Sequence, residues 1–113
     1  MGNVALLKPK DAAATKEFAR QVRARLQTHV LDLKLFGSKT MGRDVEESDI
    51  DVLVVVDQNT PELEDQVLEI AFDVNVAHDV YISPRAIGKA VLDDPVWKIT
   101  PFLRHIATEG VPL

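Results

Sequence analysis

Ser48-Asp49-Ile50-Asp51-Val52-Leu53-Val54-Val55-Val56 carries two acids, one residue apart, into an unbroken aliphatic run. Successive side chains of a strand point to opposite faces. Ile50, Val52, Val54 and Val56 therefore share one face, and Leu53 and Val55 lie on the other. Beyond Asp51 both faces are apolar, the pattern of a central strand covered on each side. Asp49 and Asp51 point the same way, and two adjacent carboxylates repel each other. A cation between them removes the conflict. Magnesium is hard, prefers oxygen ligands and bridges carboxylates to substrate phosphates.

Upstream, residues 31–36 (Leu-Asp-Leu-Lys-Leu-Phe) alternate apolar and polar as a strand does and stop at Gly37-Ser38. A glycine there lets backbone approach a ligand closely, and the following N–H groups and the Ser38 hydroxyl can receive phosphate oxygens. Residues 39–48 have no apolar period and read as a loop that returns the chain to Asp49. Earlier still, Ala14, Phe18, Val22 and Leu26 recur every fourth residue, which predicts a helix over residues 11–28 with Asp11 or Thr15 as its cap. Residues 1–10, with Pro9, read as a leader.

Downstream, Thr60-Pro61 predicts a capped helix start, and Leu63, Val67, Ile70 and Val74 form its buried stripe. Residues 79–83 (Asp-Val-Tyr-Ile-Ser) read as a third strand that stops at Pro84. A short helix over residues 86–92 and a last helix over residues 96–108, ended by Gly110, complete the chain. The order is helix, strand, strand, helix, strand, helix, helix. It implies one α/β (α+β) domain over residues 1–113, with a mixed sheet of about three strands flanked by helices.

Composition narrows the function classes. The 113 residues carry a net charge of −5, which argues against a general polyanion binder, and direct DNA binding is not expected. There is no cysteine, hence no disulfide or thiolate metal site. No run approaches the roughly 20 apolar residues of a membrane helix, and residues 1–7 are too weakly apolar for a signal peptide. A cytoplasmic domain with no membrane association is the expectation. His29, His78 and His105 lack metal-ligand spacing.

An Asp-x-Asp at a strand start is often a solvated strand end, and Gly-Ser is a common turn. The combination is more specific. Gly37-Ser38-Lys39-Thr40-Met41-Gly42-Arg43 followed by Ser48-Asp49-Ile50-Asp51-Val52-Leu53-Val54 resembles the signature of the minimal nucleotidyltransferase domain of the DNA polymerase β superfamily. The small prokaryotic members, among them the MntA-like antitoxin type paired with HEPN-domain toxins, have about this length. The resemblance covers most of the chain, up to Glu109-Gly110-Val111.

It implies a small nucleotidyltransferase fold and a magnesium-dependent transfer of a nucleoside monophosphate, AMP from ATP or its equivalent from another nucleoside triphosphate, to a hydroxyl. The acceptor it points to is a tyrosine of a HEPN toxin, with this chain as antitoxin. Gly37, Ser38 and Ser48 would bind the nucleotide, and Gly42 would let the loop fold over it. Asp49 and Asp51 would hold two Mg2+ ions. Asp79, opening the third strand, would be a further metal ligand and the base for the attacking hydroxyl. Lys39 and Arg43 are either solvated loop charges or triphosphate contacts. So small a domain implies a partner chain or homo-oligomer that completes the site. The alternative is a catalytically weak or inactive antitoxin that neutralises its partner by binding alone.

Overall fold

The computed structural model describes residues 8–36, 50–95 and 111–113. Helix α1 spans Pro9–Leu26, and a single 3-10 turn at Gln27–His29 leads into strand β1, Val30–Phe36. Strand β2 is Ile50–Val56, helix α2 Pro61–His78, strand β3 Ile82–Gly88, helix α3 Lys89–Asp93 and strand β4 the two residues Val111–Pro112. The sheet order is β3-β2-β1-β4. β1 runs antiparallel to β2 and to β4, and β3 runs parallel to β2 across the α2 crossover. The mixed sheet flanked by helices agrees with the expected fold. Its three long strands agree in number with the expectation, and β4 is a short addition on the β1 edge.

The β2 alternation decides the layering. Ile50, Val52, Val54 and Val56 are buried in the main core with Leu33 and Leu35 of β1, Phe18, Val22 and Leu26 of α1, and Val67, Ile70 and Val74 of α2. Both long helices therefore cover one face of the sheet. On the other face Leu53, Val55 and Ile87 form a separate buried cluster with Leu92 of α3 packed against it.

Helix starts follow local chemistry. Thr60 caps α2 as expected, its hydroxyl accepting the Leu63 N–H at 3.2 Å, with Pro61 in the first turn. α1 corrects the expectation. Pro9 opens it, Lys8 occupies the N-cap, and no side chain caps it. Proline tolerates the first helical position because its missing N–H is one that would go unsatisfied there. Asp11 and Thr15 are instead buried within the helix, and the Thr15 hydroxyl donates to the Ala12 carbonyl at 3.0 Å.

β3 is a second correction. It begins at Ile82 and continues through Pro84 to Gly88, so Pro84 lies within the strand and α3 starts only at Lys89. The Ile50 N–H donates to the Tyr81 carbonyl at 2.8 Å, which turns the Tyr81 backbone toward β2. By alternation the backbone groups of Ile82, Pro84 and Ala86 point outward. Among the described residues β3 is the sheet edge, and there proline removes no ladder bond. Asn75 closes that edge further, donating to the Ile82 carbonyl at 3.2 Å and accepting the Ile82 N–H at 2.7 Å. The Asn59 amide reaches the Ala86 carbonyl at 3.4 Å. An edge so occupied resists pairing with another strand.

Candidate active site

Of the residues singled out by sequence, Gly37, Ser38, Lys39, Gly42, Arg43, Ser48 and Asp49 lie outside the described residues. Asp51 and Asp79 lie within them. Asp51 is the second residue of β2, opposite Phe36 of β1 and opposite Ser83 of β3. It shares its face with Leu53 and Val55, away from α1 and α2, and is half-buried while its core-facing neighbours Ile50 and Val52 are sealed.

This second face grades from polar to apolar along the strands. Across β2 and β3 the pairs are Asp51 with Ser83, Leu53 with Arg85, and Val55 with Ile87. Lys34 of β1 lies opposite Leu53 and is 4.0 Å from Asp32. Ser83 and Arg85 are exposed. The end where β2 begins thus gathers a carboxylate, a hydroxyl and, one step further, a guanidinium. The far end is closed by Val55, Ile87 and Leu92. Ser83 was read as the end of the third strand, residues 79–83. Arg85 was missed because the strand was ended at Pro84, though the same alternation carried past the proline would have found it.

Asp79 occupies a different kind of place. It is the C-cap of α2, in the left-handed conformation at φ 54°, ψ 53°, with its N–H donating to the Asn75 carbonyl. Asp tolerates that conformation better than most non-glycine residues, and left-handed residues commonly end helices. Its side chain is 98% exposed and lies 3.6 Å from the Lys10 ammonium of α1. β3 begins three residues later. The register brings Ser83, and not Asp79, opposite Asp51.

The donor chemistry fits a hard divalent cation. A half-buried carboxylate on a rigid central strand supplies oxygen ligands of the kind magnesium selects. Among the described residues no three acids or histidines converge. The other polar constellation lies at the opposite end of the sheet. His29 Nδ1 is 3.0 Å from Asp57 Oδ2, and the Asp57 N–H donates to the His29 carbonyl at 2.9 Å. The bond from His29 holds the Asp57 carboxyl below the usual carboxylate range. Shallow clefts of about 270 and 400 Å3 adjoin this end, lined by Thr60 and Leu63 and by Asn59, Gly88 and Val91 respectively. They bring no acid near Asp51.

The comparisons with known proteins agree with the fold and with the motif strand. The family model for the nucleotidyltransferase domain matches residues 15–107. A Methanocaldococcus jannaschii protein named "Putative protein adenylyltransferase" is 32% identical over 98 residues, covering 85% of this chain and 91% of that protein. The chain belongs to the nucleotidyltransferase family, as a minimal domain of the DNA polymerase β type. That is a family of transferases whose members take a nucleoside triphosphate and a divalent metal.

Proposed function

We propose that this chain transfers AMP from ATP to a hydroxyl of another protein, with Mg2+ held by Asp49 and Asp51. The observation that carries the reading is the station of Asp51. It stands on the central strand, on the face turned away from α1 and α2, at the end of β2 nearest in sequence to the Gly37-Ser38 motif. The relative's printed name, a protein adenylyltransferase, supports protein as the acceptor class. By the resemblance of the motif to the small antitoxins, the acceptor is a tyrosine of a HEPN toxin and the chain acts as its antitoxin in the cytoplasm. Ligation of base and ribose is left to residues the motif does not encode.

In this reading Gly37, Ser38 and Ser48 receive the triphosphate, Gly42 lets the loop close over it, and Lys39 and Arg43 neutralise phosphate charge. Asp49 and Asp51 would hold Mg2+, which would supply charge stabilisation for an in-line displacement. The acceptor hydroxyl attacks the α-phosphorus, the bond to the bridging oxygen breaks, pyrophosphate leaves, and the hydroxyl proton passes to a carboxylate. Asp49 and Asp51 would orient the metal, and the rigidity of β2 holds Asp51 in place. In the sequence-based assignment Asp79 is a third ligand and the base.

A second reading rests on Asp79 itself. Its exposure and its pairing with Lys10 at the end of α2 favour a chain that keeps the fold and neutralises its partner by binding alone. Transfer of label from α-labelled ATP to the partner separates the two. We expect wild type to label the partner and Asp49→Asn/Asp51→Asn to label it at least about a thousandfold more slowly, the loss of several kcal/mol of charge stabilisation. Full neutralisation by the double variant, with no label transferred even by wild type, would establish the binding-only reading.

A further inference from the structure

Tyr81 is the single tyrosine of the chain. It is 71% exposed between two buried neighbours, Val80 and Ile82. Both neighbours pack into the main core with α1 and α2. Side chains alternate along extended backbone, so the phenol points to the other face of the sheet. That is the face of Asp51, Ser83 and Arg85. The Ile50 N–H donates to the Tyr81 carbonyl at 2.8 Å, which ties the Tyr81 backbone to the start of β2.

We propose that Tyr81 is an acceptor for the chain's own active site, its phenol taking AMP from ATP within the same molecule. The inference rests on the proposed adenylyl transfer and adds a substrate to it. Asp51 lies opposite Ser83 in the parallel ladder, and Tyr81 is two residues before Ser83 on the same face. Strand spacing and rise put the Cα atoms of Asp51 and Tyr81 about 8 Å apart. An α-phosphorus held over Asp51 is within reach of a phenol leaning in from that side, at the roughly 3–3.5 Å that attack requires.

The direction of attack agrees. In-line displacement sets the nucleophile opposite the leaving group. β1 and β3 flank β2 on opposite sides. Phe36 pairs with Asp51 from the β1 side, and the proposed phosphate turn Gly37-Ser38 follows Phe36 directly in sequence. Pyrophosphate drawn toward that turn departs on the β1 side, and Tyr81 stands on the β3 side. Ser83 also carries a hydroxyl on this face, but its one-carbon stem keeps it beside the Asp51 carboxylate.

The step balances without a further reactant. Tyr81 Oη attacks the α-phosphorus, the bond to the oxygen bridging the α- and β-phosphates breaks, and pyrophosphate departs. The phenolic proton passes to water, which the exposed ring admits. The product is one AMP per chain, joined to Tyr81 as a phosphodiester.

Incubation of the full chain with α-labelled ATP and Mg2+ tests this, read by intact mass and fragmentation. Wild type is expected to gain one AMP, on Tyr81, at a rate per chain that does not change with chain concentration. Tyr81→Phe keeps the ring, removes the hydroxyl and should carry no label. Asp51→Asn should label itself at least about a hundredfold more slowly, with thermal melts reporting that both variants are folded. A second readout needs no turnover. Tetranitromethane nitrates exposed tyrosine, and the chain offers one tyrosine and no competing cysteine. The α,β-methylene analogue of ATP, whose α–β link does not break, should slow that nitration several-fold in the presence of Mg2+. Label on Ser83, or a rate per chain that rises with chain concentration, overturns the proposal. So does protection of Tyr81 by the analogue when ATP leaves the chain unlabelled. Adding the HEPN toxin locates a failure. A chain that labels the toxin and not itself refutes the internal acceptor alone, and one that labels neither refutes the proposed transfer with it.

Discussion

The two faces of the sheet are made by one strand and do opposite things. On the helix-covered face β2 contributes Ile50, Val52, Val54 and Val56, each at most 1% exposed, to a single cluster with Phe18, Leu33 and Ile70. On the other face it contributes Asp51, Leu53 and Val55, and the buried cluster there comprises, among the described residues, Leu53, Val55 and Ile87. Burial of a large aliphatic or aromatic side chain contributes about 1.5–3 kcal/mol, so among the described residues the first face contributes more to stability. The second face has room for a half-buried carboxylate beside Ser83. Most of the described packing lies on one side, and the candidate metal ligand Asp51 lies on the other.

The sharpest way to break that division is to exchange the roles. Phe18 is completely buried at the centre of the helix-covered face. Phe18→Ala should cost about 3–5 kcal/mol through lost transfer energy and the cavity left behind. In urea unfolding this is the largest effect expected, and in a domain of this size it lowers the melting temperature by roughly 15 °C or more. Asp51→Asn is the counterpart. It removes charge without changing volume on the partly exposed face, and its stability should shift by at most about 1 kcal/mol. A Phe18→Ala protein as stable as wild type, or an Asp51→Asn protein that unfolds with it, would show that the faces are not so divided.

A smaller change probes what holds the cover in place. α2 is fixed at its start by Thr60, whose hydroxyl accepts the Leu63 N–H, and Leu63 packs against the main core. Thr60→Ala leaves that N–H without its side-chain partner and should cost about 1 kcal/mol. Thr60→Ser should retain most of it. Equal losses in the two variants would mean that the threonine methyl, and not the hydroxyl, matters.

What sequence could reveal follows the same division. The β2 alternation, the Ala14–Phe18–Val22–Leu26 stripe and the Thr60-Pro61 start were legible because periodicity and capping are local. Less local facts were misread. Pro84 looked like a strand terminator because proline cannot donate to a ladder, but at an edge position its missing N–H faces outward. Asp79 looked like the opening of β3 because Val80, Tyr81 and Ile82 favour strands. In the fold, Asp79 is spent on ending α2 in a left-handed cap. Asp11 and Thr15 looked like caps, yet the helix already begins at Pro9. The Gly37-Ser38 half of the motif was read from residue types alone, and Asp51 is the motif acid whose station in the sheet is described.

The smallest effect lies on the outer surface of α1, outside both faces. Arg20 donates to Glu17 at 3.0 and 2.5 Å and Gln21 adds a third bond at 2.6 Å. The Arg20 bond first, then that of Gln21, holds the Glu17 carboxyl down to about 2 from an ordinary 4.5. A carboxyl depressed in the folded state favours folding above its unfolded pKa, and the contribution is lost as pH falls through the folded value. For Glu17 the window runs from pH 4.5 down to about 2. Asp57, held low first by its bond from His29, adds a loss of the same sign. Both groups are solvent-accessible, and salt screens such contacts. In low salt, melting temperature should therefore fall between pH 4.5 and 2 less steeply for Glu17→Gln than for wild type, and the difference should shrink at 1 M salt. Parallel slopes for the two proteins would mean that the Glu17–Arg20–Gln21 cluster is no better formed in the folded chain than in the unfolded one, leaving the acid sensitivity to groups nearer the sheet.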